Sequence, residues 1–115
     1  MPMDRTLVAI PCNLSPGAFS GERVFEIQLA NGERYTSLAP RQFCWTADGK
    51  LVGEREPTTK TRGMIAARIV IDIDDTQIQV EVPDGEVIAV DRTEIKARPT
   101  PIVPPSSVLR VSTGQ

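Results

Sequence analysis

The sequence predicts an all-β protein: a small antiparallel barrel, or a barrel-like sandwich built from hairpins, with an extended Pro-rich C-terminal tail. Three observations carry this expectation. Residues 63–91, GMIAARIVIDIDDTQIQVEVPDGEVIAVD, read as three strands with apolar residues at alternate positions. Turn signals recur along the chain at a spacing of about 8–12 residues, as in small sandwiches and barrels. Valine and isoleucine dominate the apolar set, and ten prolines and eight glycines in 115 residues argue against long helices. The length suits one core without staples, and the expected division is a β domain over residues 1–98 and a tail over residues 99–115.

Residues 6–11, TLVAIP, read as the first strand, with Pro11 ending it or lying on an edge. Residues 13–21, NLSPGAFSG, are rich in turn formers and read as a loop in which Phe19 caps the core. Residues 23–30 form the second strand, with Phe25, Ile27 and Leu29 on one face. Asn31-Gly32 then suggests a two-residue type I′ hairpin, which pairs Leu29 with Arg34, Ile27 with Thr36 and Phe25 with Leu38. The return strand, residues 33–38, is only half apolar and is expected near an edge. Ala39-Pro40 breaks it, and residues 41–46 begin with a turn and end as a strand holding Phe43 and Trp45. Ala47-Asp48-Gly49 makes the next turn, and residues 50–53 a short return. Residues 54–63, EREPTTKTRG, carry five charges and read as a solvated loop.

In the central stretch, Ala67, Ile69, Ile71 and Ile73 share one face of one strand, and Ile78, Val80 and Val82 one face of the next. A one-residue slip flips every side chain, so the loop at Asp74-Asp75 is expected to be even. That register pairs Ile69 with Val80, Ile71 with Ile78 and Arg68 with Glu81. Val82-Pro83-Asp84-Gly85 predicts a three-residue loop with a glycine bulge, because Pro presets φ and Gly accepts the left-handed position. It sets Val80 opposite Ile88 and Ile78 opposite Val90. Residues 92–95 make one tight turn, and residues 96–98 a last short strand.

A strand over residues 86–91, a one-turn connection at 92–94 and a strand from Ile95 onward resemble the last two strands of an SH3-like barrel. The resemblance implies a fold and no particular function, since such barrels host many. Residues 99–105, PTPIVPP, hold four of the ten prolines and are expected to be extended. Residues 106–115 follow, with Val108, Leu109 and Val111 as their apolar members.

The chemistry-bearing residues exclude more than they suggest. The chain has no histidine, which removes Ser-His and Cys-His catalysis in their usual forms and leaves a zinc site short of ligands. Cys12 and Cys44 read as reduced, partly buried thiols, with one disulfide as the alternative. Asp72, Asp74 and Asp75 read as a solvated hairpin tip; the competing reading is a weak calcium or magnesium site, for which the ligand spacing is wrong. No GxxxxGK[ST] or GxGxxG is present. Residues 13–18, NLSPGA, resemble the D/NxSxxG segment of PilZ cyclic-dinucleotide receptors. They depart from it at Ala18, where the pattern has glycine, and Arg5 lacks an arginine partner at the upstream spacing. The formal net charge is −2, which gives no overall attraction to a phosphate backbone. The N-terminus lacks the basic start and long apolar run of a signal peptide, and no stretch reaches the roughly 20 apolar residues of a membrane span. A cytoplasmic protein is expected, with no cofactor, no metal and no membrane partner.

Arg34, Tyr35, Arg41, Phe43 and Trp45 are the candidate binding residues, a basic–aromatic group that could hold a peptide or stack on bases. The competing reading places Phe43 and Trp45 in the core, because a chain this poor in aromatics spends them there. The expected function is a non-enzymatic protein-interaction or structural module. Its partner would be another protein or a second copy of itself, engaged through a strand edge or the tail. The alternative is a nucleic-acid or nucleotide-binding small β-barrel, which a contiguous basic surface of Arg34, Arg41, Arg55, Lys60 and Arg62 would favour.

Overall fold

Seven antiparallel strands make one sheet in the computed structural model, which describes residues 7–99. They are β1 (Leu7–Pro16), β2 (Glu22–Gln28), β3 (Arg34–Pro40), β4 (Cys44–Thr46), β5 (Thr61–Ile71), β6 (Gln77–Glu81) and β7 (Val87–Asp91). The sheet order is β3-β2-β1-β5-β6-β7, with β4 added to β5, and the sheet curls into a half-barrel. The all-β expectation holds. The expected readings of residues 1–6 and 100–115, including most of the Pro-rich tail, lie outside the described residues.

β5 is the strand that makes this architecture possible. Its eleven residues pair with β1 along one edge, and with β4 and then β6 along the other. Ile10, Ile65 and Cys44 therefore lie in one row across three strands, all buried. The concave face gathers Val8, Ile10, Cys12 and Leu14 with Phe25, Ile27, Ile78, Val80, Ile88 and Val90. The opposite face of β1, β4 and β5 carries a second, smaller cluster of Ala9, Trp45 and Ala66, with Phe43 and Met64 packed against it. Two-sided burial explains why β1 reads as a continuous apolar run and not as an alternation.

Three hairpin turns share one geometry. In each, the glycine N–H donates to the carbonyl three residues back: Gly32 to Leu29 (3.0 Å), Gly49 to Thr46 (3.0 Å) and Gly85 to Val82 (2.8 Å). Each glycine has φ near +90°, and no other described residue has positive φ. The loops are Ala30-Asn31-Gly32, Ala47-Asp48-Gly49 and Pro83-Asp84-Gly85, each three residues with a glycine bulge. The last sets Ile78 opposite Val90 and Val80 opposite Ile88, as expected.

Five expectations are corrected. The first hairpin is not type I′, which would need positive φ at Asn31. Leu29 pairs instead with Glu33, and the register slides by one residue to Ile27↔Tyr35 and Phe25↔Ser37. Leu38 consequently points away from the core and is exposed. Pro11 does not end β1. Ala9 exchanges backbone hydrogen bonds with Lys96, and β2 begins pairing at Asn13, so Pro11 sits in the gap between them and its missing N–H breaks no ladder bond. The loop over residues 13–21 begins only after Pro16, and Phe19 within it is exposed. In β5 a bulge between Ile69 and Ile71 shifts the register after the expected Arg68↔Glu81 and Ile69↔Val80 pairs. Ile71 then pairs with Gln79 on the outer face, and Ile71 and Ile73 are exposed. Of the last short strand, one bridge forms, at Lys96 to Ala9, after a 3₁₀ turn over Arg92–Glu94.

Candidate functional site

The sheet ends at β3, which has β2 on one side only. Leu29 N–H donates to Glu33 O (2.7 Å) and Arg41 N–H to Gly21 O (2.9 Å), which fixes the pairs whose backbones face one another. Counting by twos, Tyr35, Ser37 and Ala39 turn their N–H and C=O groups to β2. Arg34, Thr36 and Leu38 turn theirs outward. Among the described residues, no backbone hydrogen bond from another strand reaches that outward edge.

Two contacts close the half-barrel near the start of β3. Ala30 N–H donates to Ala89 O of β7 (2.9 Å), and the Tyr35 hydroxyl donates to Asp84 in the β6–β7 turn. Tyr35 also packs its ring on Phe25, with centroids 6.1 Å apart at 50°. The Asp84 hydrogen bond is the main cause holding the Tyr35 hydroxyl above its ordinary pKa. Burial pushes Asp84 up, but hydrogen bonds from Ser37 and Tyr35 outweigh it and hold the carboxyl below its ordinary range. Past Tyr35 the edge runs free to Pro40.

Beside this free stretch lies a cleft of about 240 Å³, whose lining includes Phe19, Gly21, Leu38 and Pro40. Phe19 is 74% and Leu38 45% exposed, so two large apolar side chains stand in solvent next to unpaired backbone. Natural proteins blunt such edges with charges, prolines or a covering loop. Here the edge carries Arg34 at one end and Pro40 at the other, with Thr36 and the exposed Leu38 between them and Phe19 alongside.

The sequence-derived candidates do not form one surface. Arg34 is exposed on the outer face of β3, with Glu26 at 3.7 Å. Tyr35, next to it, faces inward. Arg41 opens a 3₁₀ turn and donates to Val52 O (2.9 Å). Phe43 and Trp45 come together, but in the small cluster on the convex face, where Trp45 is fully buried. Sequence reasoning missed Leu38 and Phe19, assigning both to the core. A signal was present: Ala30-Asn31-Gly32 matches Ala47-Asp48-Gly49, and reading both as the same bulged turn places Leu38 outside.

Of the basic residues, Arg34 and Lys60 meet on one acid, Glu26, while Arg41 is turned to a carbonyl. Glu26 accepts from Asn13 and pairs with Lys60 (3.4 Å) and Arg34; the Asn13 hydrogen bond first, then these cations, lower its pKa. Arg68 pairs with Glu81, and Arg92 with Asp72. Among the described residues no three His, Cys, Asp or Glu side chains gather to hold a metal, and no helix is long and apolar enough to cross a membrane. Compared with protein families, curated proteins and solved structures, the chain matches none.

Proposed function

We propose that this domain is a non-enzymatic protein-interaction module that takes an extended segment onto the edge of β3. The observation that carries the reading is the outward row of N–H and C=O groups at Arg34, Thr36 and Leu38 beside exposed Phe19 and Leu38. In strand addition the backbone supplies affinity, and pockets for alternate side chains supply specificity. The occupant in this reading is residues 106–112, SSVLRVS, of a second copy. That run has no proline, and Leu109 and Val111 are two apart, so one strand face would present both to the Phe19–Leu38 cleft. The prolines before it disfavour folding back and favour reach. Free thiols at Cys12 and Cys44 support a reducing, cytoplasmic setting. The run from β5 through β7, the 3₁₀ turn and the Lys96 bridge to β1 supports an SH3-like description of the core. The nucleic-acid alternative is weakened by Glu26 between Arg34 and Lys60 and by the spending of Arg41 on a carbonyl.

The test uses the full chain and its mass in solution by light scattering over a concentration series. Thr36→Pro removes an outward donor without touching the β2–β3 ladder, and Leu109→Asp spoils the proposed occupant. The wild type should self-associate and both variants should stay monomeric. A synthetic SSVLRVS peptide should bind Leu109→Asp protein and fail to bind Thr36→Pro protein. A monomeric wild type that also ignores the peptide overturns this occupant.

A further inference from the structure

A second cleft, also near the C-terminal end of β1, shares no lining residue with the cleft at the β3 edge. It measures about 410 Å³, within the range of roughly 300–1,000 Å³ typical of small-ligand sites. Its apolar lining is Leu14 and Val52, both almost fully buried at its floor, with Pro57; Glu56, Thr58 and Arg62 are its polar lining. Leu14 is packed closely from behind by Gly63, where a Cβ would meet Leu14 Cδ1 and Trp45 O, both at 2.6 Å.

The wall formed by residues 53–57 is held from behind. Arg23 is 3% exposed, and its guanidinium donates to the carbonyls of Ser20, Glu22, Gly53, Glu54 and Glu56. Glu56 is thus fixed at its backbone by Arg23. Its side chain is fixed as well, since Oε1 accepts from Gly53 N–H at 3.1 Å. Holding a loop in place before binding cuts the entropic cost of binding.

Glu56 and Arg62, of opposite charge, both line the cleft, and among the described residues neither is in an ion pair. Apolar surface shares the cleft with them. We propose that this cleft binds a small zwitterion with an apolar side chain, of the chemical class of a free branched-chain α-amino acid. Arg62 receives the carboxylate, Glu56 the ammonium, and the side chain lies on Leu14, Val52 and Pro57. Arg62 suits a carboxylate because its planar donors match two oxygens at once.

The experiment is an amide chemical-shift titration of the full chain with L-leucine, 4-methylpentanoate (carboxylate only), 3-methylbutylamine (ammonium only) and glycine (no apolar side chain). Leucine should bind most tightly and shift amides of residues 53–62. Arg62→Ala should abolish binding of leucine and of 4-methylpentanoate. Glu56→Gln, which keeps an acceptor for Gly53 N–H, should weaken leucine by about tenfold and leave 4-methylpentanoate unchanged. Unchanged amide spectra away from the cleft show that each variant is folded. The proposal is overturned if leucine causes no shifts, if both variants bind it as the wild type does, or if 4-methylpentanoate binds as tightly as leucine.

Discussion

The hydroxyl of Tyr35 donates to Asp84, and this hydrogen bond ties edge strand β3 to the β6–β7 turn across the opening of the half-barrel. Tyr35→Phe keeps the ring against Phe25 and removes the tie, at a cost of up to about 1 kcal/mol. The acid dependence should change too. The Asp84 carboxyl is more acidic folded than unfolded, so its contribution is present above the unfolded pKa and lost as pH falls through the folded one. Removing the hydroxyl removes part of what is lost. Thermal melts across the carboxylate range should show Tyr35→Phe falling less steeply than wild type on acidification.

Proline at the first loop position separates two of the three matching turns. Pro83 already occupies it in the third. Ala47→Pro should stabilise by about 0.4–1 kcal/mol, through a less mobile unfolded chain. Ala30→Pro should not, because the Ala30 N–H is donated to Ala89 O and its loss opens the seam beside β7. Urea denaturation of the two variants checks the sign of each.

Arg23 occupies a core-facing position in β2, in line with Phe25 and Ile27, and compensates its burial with five carbonyl acceptors. Arg23→Met fills the space but orphans those carbonyls, and should cost about 3 kcal/mol or more. Arg23→Lys should recover only part of it, since an ammonium cannot fan its donors as a guanidinium does. Denaturation midpoints rank the three proteins, and amide exchange in residues 53–56 should rise in the order wild type, Lys, Met.

The two thiols should be inert in the native state. Burial is the main cause pushing both up, Cys44 to about 12 and Cys12 further, with Cys44 adding to the effect on Cys12. The thiolate is the reactive form, so labelling with a disulfide reagent should track unfolding and reach both cysteines only in denaturant. The linked stability is fully present below the unfolded thiol pKa and is lost as pH rises towards the folded values. Stability should therefore decline on the alkaline side, and a Cys12→Ala, Cys44→Ala double variant should lose that part of the decline.

Much of the fold was legible because its signals are local. The Pro83-Asp84-Gly85 turn and the alternation of Ile78, Val80 and Val82 were enough to place β6 against β7 with the observed register. The β5–β6 register was legible up to Ile69 and then lost, since nothing in the residues 69–71 marks a bulge. The candidate site was hardly legible. Phe19 and Leu38 look like core residues by type, and Trp45 and Phe43 look like surface candidates only by their nearness in sequence to Arg41.

By itself the sequence determined the all-β class and the places of the three glycine turns, and the bulged form of the two that carry Asp-Gly. Each depends on residues within a few positions of one another, through φ at one glycine or the pleat of one strand. Tertiary structure alone decided which faces are covered. Burial at Ala9, Trp45 and Ala66 requires β4 to join β5, and burial of Arg23 requires the carbonyls of residues 53–56 to arrive from 30 positions away. The edge place of β3 was legible in its half-apolar residues, but the outward turn of Leu38 was not: it follows from the β2–β3 register, which was fixed only when the two strands paired.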